Sequence, residues 1–216
     1  MKQIFNMYSR ALCVFVIATC LLSCNKSTGR TLTSATGSIY ECLVVMNDAP
    51  LTQEQRNEIA KLNLVNEASG YTKPIANLYD LVEAVMAADM PCMPQVEPYF
   101  RLTQVPTAQF DDMFKPTRNI LFVDINPQMY TQVKAKVSND HWSTPQALCR
   151  IQSPSEEDFV AYWLEHGEEI REWFVNQEIT RQIKFYRAGT NKQARTIRQE
   201  QGYDMLIPED YMVIMD

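Results

Sequence analysis

Ala11–Ser23 (ALCVFVIATCLLS) is the segment that most limits how this chain can fold. It is a largely apolar run of thirteen residues, preceded by Lys2 and Arg10 with no acidic residue. A basic start followed by a short apolar run is the pattern of a secretory signal peptide, which is removed and not folded. The run is too short to cross a bilayer, which takes about 20 apolar residues. The fold is therefore expected from the residues that follow Ser23.

The run ends in Leu21-Leu22-Ser23-Cys24. This resembles a bacterial lipobox, in which the cysteine thiol is lipidated and the chain is cut before it. The bland alternative is a plain signal peptide with a chance cysteine. A buried core helix is disfavoured, because the polar stretch Asn25–Arg30 follows directly. Residues 1–23 are thus expected as signal peptide, 24–37 as lipidated Cys24 plus tether, and 38–216 as a single domain. Without Lys2 and Arg10, 18 basic residues face 26 acidic ones, a net charge of −8. Such a body is not drawn to anionic lipid, so attachment is expected from acyl chains, palmitate among them. Stable anchoring takes two or more chains. Asn25 is not the aspartate that retains lipoproteins in the inner membrane, and Lys26-Ser27 is not an acidic export signal. The outer membrane, facing the periplasm, is the expected location.

Composition excludes several classes. The whole chain has 20 Lys+Arg against 26 Asp+Glu, so no cationic surplus exists to neutralise nucleic-acid phosphates. Six glycines, none closer than eight positions apart, make a phosphate-cradling loop improbable. After the signal region three cysteines remain: Cys42, Cys92 and Cys149. None is spaced as a zinc or redox motif. One disulfide or three free thiols fit equally well. No cofactor or metal is expected.

Patterning predicts a strand over Ser38–Asn47 and a helix over Thr52–Asn63, opened by a Thr52/Gln55 capping box. A helix over Ala76–Ala88 follows from the stripe Leu78, Leu81, Val82, Val85 and Met86. Pro91, Pro94 and Pro98 then force extended backbone. Strands are predicted over Tyr99–Val105, Arg118–Ile125 and Pro145–Gln152, with a single turn at Phe110–Phe114. Tyr130–Val137 is expected to pair with Arg118–Ile125 as a hairpin. A helix capped by Ser155 is predicted to Tyr186, with Gly167 as a candidate break. Thr190–Gln201 reads as helix extension or loop, and Tyr203–Ile207 and Tyr211–Met215 as strands. The sum is an α+β fold: a mainly antiparallel sheet with helices packed on one face. A strand signal running to Asp216 suggests a sheet cut short at its C-terminus.

No GxSxG, HExxH or P-loop motif is present. His141 and His166, the only histidines, are the available general bases, or simply a loop histidine and a helix-end histidine. Asp111-Asp112, Glu156-Glu157 and Glu168-Glu169 are sequence neighbours, which point about 100° apart on a helix and do not face across a cleft. Glu178 and Arg181, at i, i+3, pair along a helix if exposed and make a polar site if buried. Trp142, Trp163 and Trp173 are a sugar-stacking surface or, more simply, core. His141, Trp142, Gln146, Glu178 and Arg181 form the candidate polar site.

Several short segments resemble an uncharacterised lipoprotein family of Bacteroidetes, domain of unknown function 4837. They are Met93–Phe100, Arg118–Leu121, Trp142–Gln146, Glu178–Arg181 and Ile207–Tyr211. The resemblance assigns no catalytic residue. It implies a further C-terminal part of a hundred or so residues, so a truncated, split or short variant is expected. The expected function is a non-enzymatic binding or assembly module of the envelope, with a protein or glycan partner and a membrane held through Cys24. The alternative is an envelope hydrolase acting on peptidoglycan, glycan or ester.

Overall fold

The computed structural model describes residues 31–62, 74–189, 191–202 and 206–211. The signal segment, Cys24 and most of the tether lie outside these residues, as do most of the two C-terminal strand predictions. Thr33–Asp216 is one compact unit.

Strand pairing begins at Thr33, inside the stretch read as tether. The short strand β1 (Thr33–Ser34) pairs in parallel with a later one, β6 (Ser143–Thr144). The main sheet holds β2 (Glu41–Val45), β3 (Arg101–Val105), β4 (Asn119–Ile125), β5 (Lys134–Asn139) and β7 (Ala147–Ser153). Their order is β3-β2-β4-β7-β5. All neighbours run parallel except β5, which is antiparallel to β7. The sheet is therefore mixed, not mainly antiparallel as the sequence suggested. The long connection from Met46 to Phe100 carries two helices, and such a crossover returns the chain in the same direction. The continuous apolar runs in β2 and β4, buried on both faces, suit central parallel strands.

The hairpin expectation is also corrected. Pro127 and the turn at Asn126, whose carbonyl accepts from the Met129 and Tyr130 amides, carry the chain past the neighbouring position. β5 then pairs with β7, register Lys136 opposite Arg150, and not with β4.

Helix α1 (Gln53–Lys61) opens with the expected capping box: Thr52 accepts from the Gln55 amide at 3.2 Å, and Gln55 accepts from the Thr52 amide at 2.8 Å. Helix α2 (Leu78–Met86) is capped by Asn77, which accepts from the Asp80 amide at 2.7 Å. Helix α3 (Glu156–Ala188) starts at Ser155, with Glu156, Glu157 and Asp158 at its positive end. Its 33 residues span about 50 Å. Gly167 does not break it. A Cβ there would lie 3.0 Å from Trp163 Cε2, so the glycine makes room for the indole ring. His166 is consequently a mid-helix residue, not a helix-end cation. Helix α4 (Lys192–Gln201) is separate, with no strand over residues 206–211.

Helices α1, α2 and α3 all bury residues in one cluster with the inward side chains of the sheet. Ile59, Leu81 and Trp163 meet Val44, Leu121 and Cys149 there. The opposite sheet face packs Val45, Ile120 and Phe122 under Phe110, Phe114 and Trp142, which come from loops.

Cys42 and Cys149 sit on β2 and β7 with β4 between them, and no described cysteine is bridged. Two strand spacings exceed about 9 Å, beyond the roughly 7 Å limit for a disulfide. Burial pushes the Cys149 thiol up to about 12 and the Cys42 thiol higher still. Cys92 is exposed. Alkylation of the folded protein at neutral pH should therefore modify Cys92 rapidly and leave Cys42 and Cys149 unmodified until denaturant is added, as peptide mass spectrometry would read.

Candidate functional site

All five candidate residues fall at one end of the sheet, the end where β4 and β7 begin. Glu178 extends the buried stripe of α3 (Phe159, Trp163, Gly167, Ile170, Phe174) to the start of β4. Its side chain has 0% exposure. Arg118 Nε donates to Glu178 Oε1 at 2.8 Å and Oε2 at 3.0 Å, and Arg118 Nη2 donates to Oε2 at 2.7 Å. Asn119 Nδ2 donates to Oε1 at 2.7 Å and to the Glu41 carbonyl at 2.8 Å. Arg181 Nη1 donates to Glu178 Oε1 and to Asn119 Oδ1, both at 2.8 Å. One carboxylate thus fastens α3 to β4, and through Asn119 to β2.

Burial alone would raise the Glu178 carboxyl. Hydrogen bonds from Arg118 and Asn119, with the charges of Arg181 and Arg118, outweigh it and hold the group below the usual carboxylate range. Arg181 is lowered, first by burial and then by Arg118, against the opposing charges of Glu178 and Asp140. Its guanidinium stays protonated in any case.

Gln146 is a second clasp. Its Nε2 donates to the Lys115 carbonyl at 2.6 Å and the Thr117 carbonyl at 2.7 Å. Its Oε1 accepts from the Trp142 amide at 2.9 Å, and its own amide donates to Asp140 Oδ1 at 2.9 Å. Asp140 takes φ 55°, a left-handed conformation that aspartate tolerates better than most residues. Trp142 packs on Phe110 with ring centroids 5.5 Å apart. His141 is exposed, edge-on to Trp142 at 4.5 Å.

Glu178, Arg181 and Gln146 therefore hold the fold together. Glu178 has no path to a substrate, and Gln146 is 1% exposed. In open sheets with parallel strands, ligands sit beyond the carboxyl ends of the strands. Both clasps lie at the opposite end. At the carboxyl end, Asn47 accepts from the Thr107 amide at 3.1 Å and Asp48 from the Tyr79 amide at 3.1 Å, so these side chains serve the backbone.

His166 stands apart on α3, its Nδ1 3.2 Å from Glu169 Oε2. Trp163 is buried, and Trp173 packs on Phe174 at 4.8 Å. The three tryptophans share no surface. Among the described residues no group of three His, Cys, Asp or Glu side chains is arranged to hold a metal, and no helix is long and apolar enough to cross a membrane. An open groove of about 490 Å³ between α1 and α3 is rimmed by Glu54, Glu58, Glu156 and Glu157. Three of these sit in first helical turns, where acids are expected, and Glu58 pairs with Lys61.

Arg118 and Asn119 were missing from the candidate set. Their signal was an asparagine, poorly suited to strands, opening a strongly apolar strand directly after an arginine.

No curated protein and no solved structure matches the chain. A family model described as a domain of unknown function (DUF8532) matches residues 57–187, 131 of the 216. This overturns the resemblance to domain of unknown function 4837. The segments behind it were short, and Arg118, Gln146 and Glu178 within them are explained by the two clasps. The chain belongs to the family of the domain of unknown function DUF8532.

Proposed function

We propose that the chain is a lipid-anchored module of the cell envelope, held at the outer membrane and facing the periplasm, that binds or assembles with a protein or glycan partner. The observation that carries the reading is the closed Glu178 clasp. Glu178, Arg118 and Arg181 are spent on one another at 0–18% side-chain exposure. A general acid or base must reach the proton that it transfers. The sequence supports the anchor through the apolar run Ala11–Ser23 and Cys24.

Labelling cells with a clickable palmitate analogue tests the anchor. The full chain should take up label and sediment with membranes, and a Cys24→Ser variant should lose the label. An unlabelled wild-type chain would refute it. Crosslinking in living cells tests the binding role, and recovery of only abundant bystanders would count against it.

A further inference from the structure

We infer that the outward face of the β5–β7 pair rests on the phosphate groups of anionic lipids in the leaflet that holds the anchor. The inference builds on the lipid-anchored reading above and adds how the domain is oriented.

Register places Lys136 opposite Arg150 and Lys134 opposite Gln152. Lys134 and Lys136 lie two residues apart, so with Arg150 they share one sheet face. That face is the one without helices. Its loop cover, Phe110, Phe114 and Trp142, sits on the cluster of Val45, Ile120, Phe122 and Leu148. Lys134 and Lys136 are exposed, and Arg150 is half-buried with its guanidinium 4.7 Å above the Phe122 ring.

None of the three cations has an ion-pair partner among the described residues. The nearby carboxylate, Asp124, accepts from the Tyr130 hydroxyl at 2.6 Å, and that hydroxyl accepts from Gln152 at 2.9 Å. Like charges directly opposite each other on paired strands are destabilising. Lysines on an edge strand are an ordinary guard against aggregation, which accounts for β5. It does not account for Arg150, because β7 is an inner strand. The chain carries an acidic excess, yet it sets three unpaired cations side by side.

The occupant follows from shape and from the tether. Small ligands take concave sites. This face is an open strand pair, suited to a surface. The tether reaches the fold at β1, which is clamped to β6 inside the β5–β7 connection. Eight residues lie between Cys24 and Thr33, so the nine Cα steps reach about 30 Å at full extension. The hairpin that bears the cations is therefore also the one leashed to the anchor. Charge acts over about 8–10 Å at physiological salt. A tethered acidic body near an anionic leaflet is repelled less with a cationic strand pair toward the leaflet than with an acidic surface toward it.

The test uses the lipidated protein in vesicles of phosphatidylcholine, with and without phosphatidylglycerol. Amine acetylation is read by mass spectrometry at Lys134 and Lys136, with exposed Lys61 as internal control. Phosphatidylglycerol should slow both lysines several-fold relative to Lys61, and high salt should erase the difference. In a Lys136→Glu/Arg150→Gln variant, Lys134 should lose its protection. Flotation with both vesicle types but unchanged lysine rates overturns this inference alone. Failure to float with neutral vesicles overturns the anchor, and this inference falls with it. Slowing by soluble polyphosphate but not by anionic vesicles overturns it in favour of a polymeric partner.

Discussion

Glu178→Ala lowers the unfolding free energy by about 3–5 kcal/mol, because it strands two arginines at the sheet end without their carboxylate. The side chain is fully buried, and Arg118 and Arg181 are only 18% and 10% exposed. Asn119 loses an acceptor at the same time, while its bond to the Glu41 carbonyl survives. Glu178→Gln keeps the shape and one acceptor oxygen, so it should cost less than the alanine. Denaturant unfolding read by circular dichroism measures both. A loss below 1 kcal/mol for alanine would mean that water replaces the carboxylate easily.

The same clasp sets an acid limit. The Glu178 carboxyl is held below its unfolded value, so the folded state binds its proton less readily. Its stabilising contribution is present in full above the unfolded value, about 4.3 for glutamate, and is lost as pH falls through the lower folded value. The variants should therefore converge on the wild type in acid, the gap opening again as pH rises toward neutrality.

Trp163→Ala should cost a similar amount, about 3–5 kcal/mol for an aromatic truncated in a core. Trp163 has no exposed surface, lies against Phe159 at 6.0 Å, and its Nε1 donates to the Leu81 carbonyl at 3.2 Å. It joins α3 to α2. Trp163→Phe retains most of the volume and removes the indole donor, so it should cost roughly 1–2 kcal/mol. Gly167 lies against the same ring and cannot fill the cavity that alanine leaves. Thermal melts of the two variants separate packing from hydrogen bonding. Equal losses would show that the Leu81 bond, not the ring volume, matters.

Local elements were legible because their signals are local. Thr52 and Gln55 announce α1, the stripe from Leu78 to Met86 announces α2, and both appear within a residue or two. Strand direction was not legible. The run in β4 is the same whether its neighbours are parallel or antiparallel, and the long connection after Met46 decides. Gly167 looked like a break because glycine is a poor helix former. Its purpose depends on Trp163, one turn away, lying over the backbone. Glu178 showed its short-range pair with Arg181, yet its strongest partner, Arg118, is 60 residues earlier in the chain. No periodicity encodes such a meeting. What the sequence could not show is that Glu178, Arg181 and Gln146 are tied to backbone and side chains far along the chain.

The short ladder of β1 on β6 has a mechanical consequence. A pull arriving along the chain at Leu32 meets Thr33 and Ser34 first, held to β6 by a two-residue register. Beyond them come the amides of Ala35 and Thr36, bonded to Thr144 and Pro116. Once these bonds open, residues 33–40 can straighten toward a contour of about 25 Å before tension reaches β2. Jolts in that first stretch are absorbed by a few hydrogen bonds that re-form on release, and the five-stranded sheet is spared.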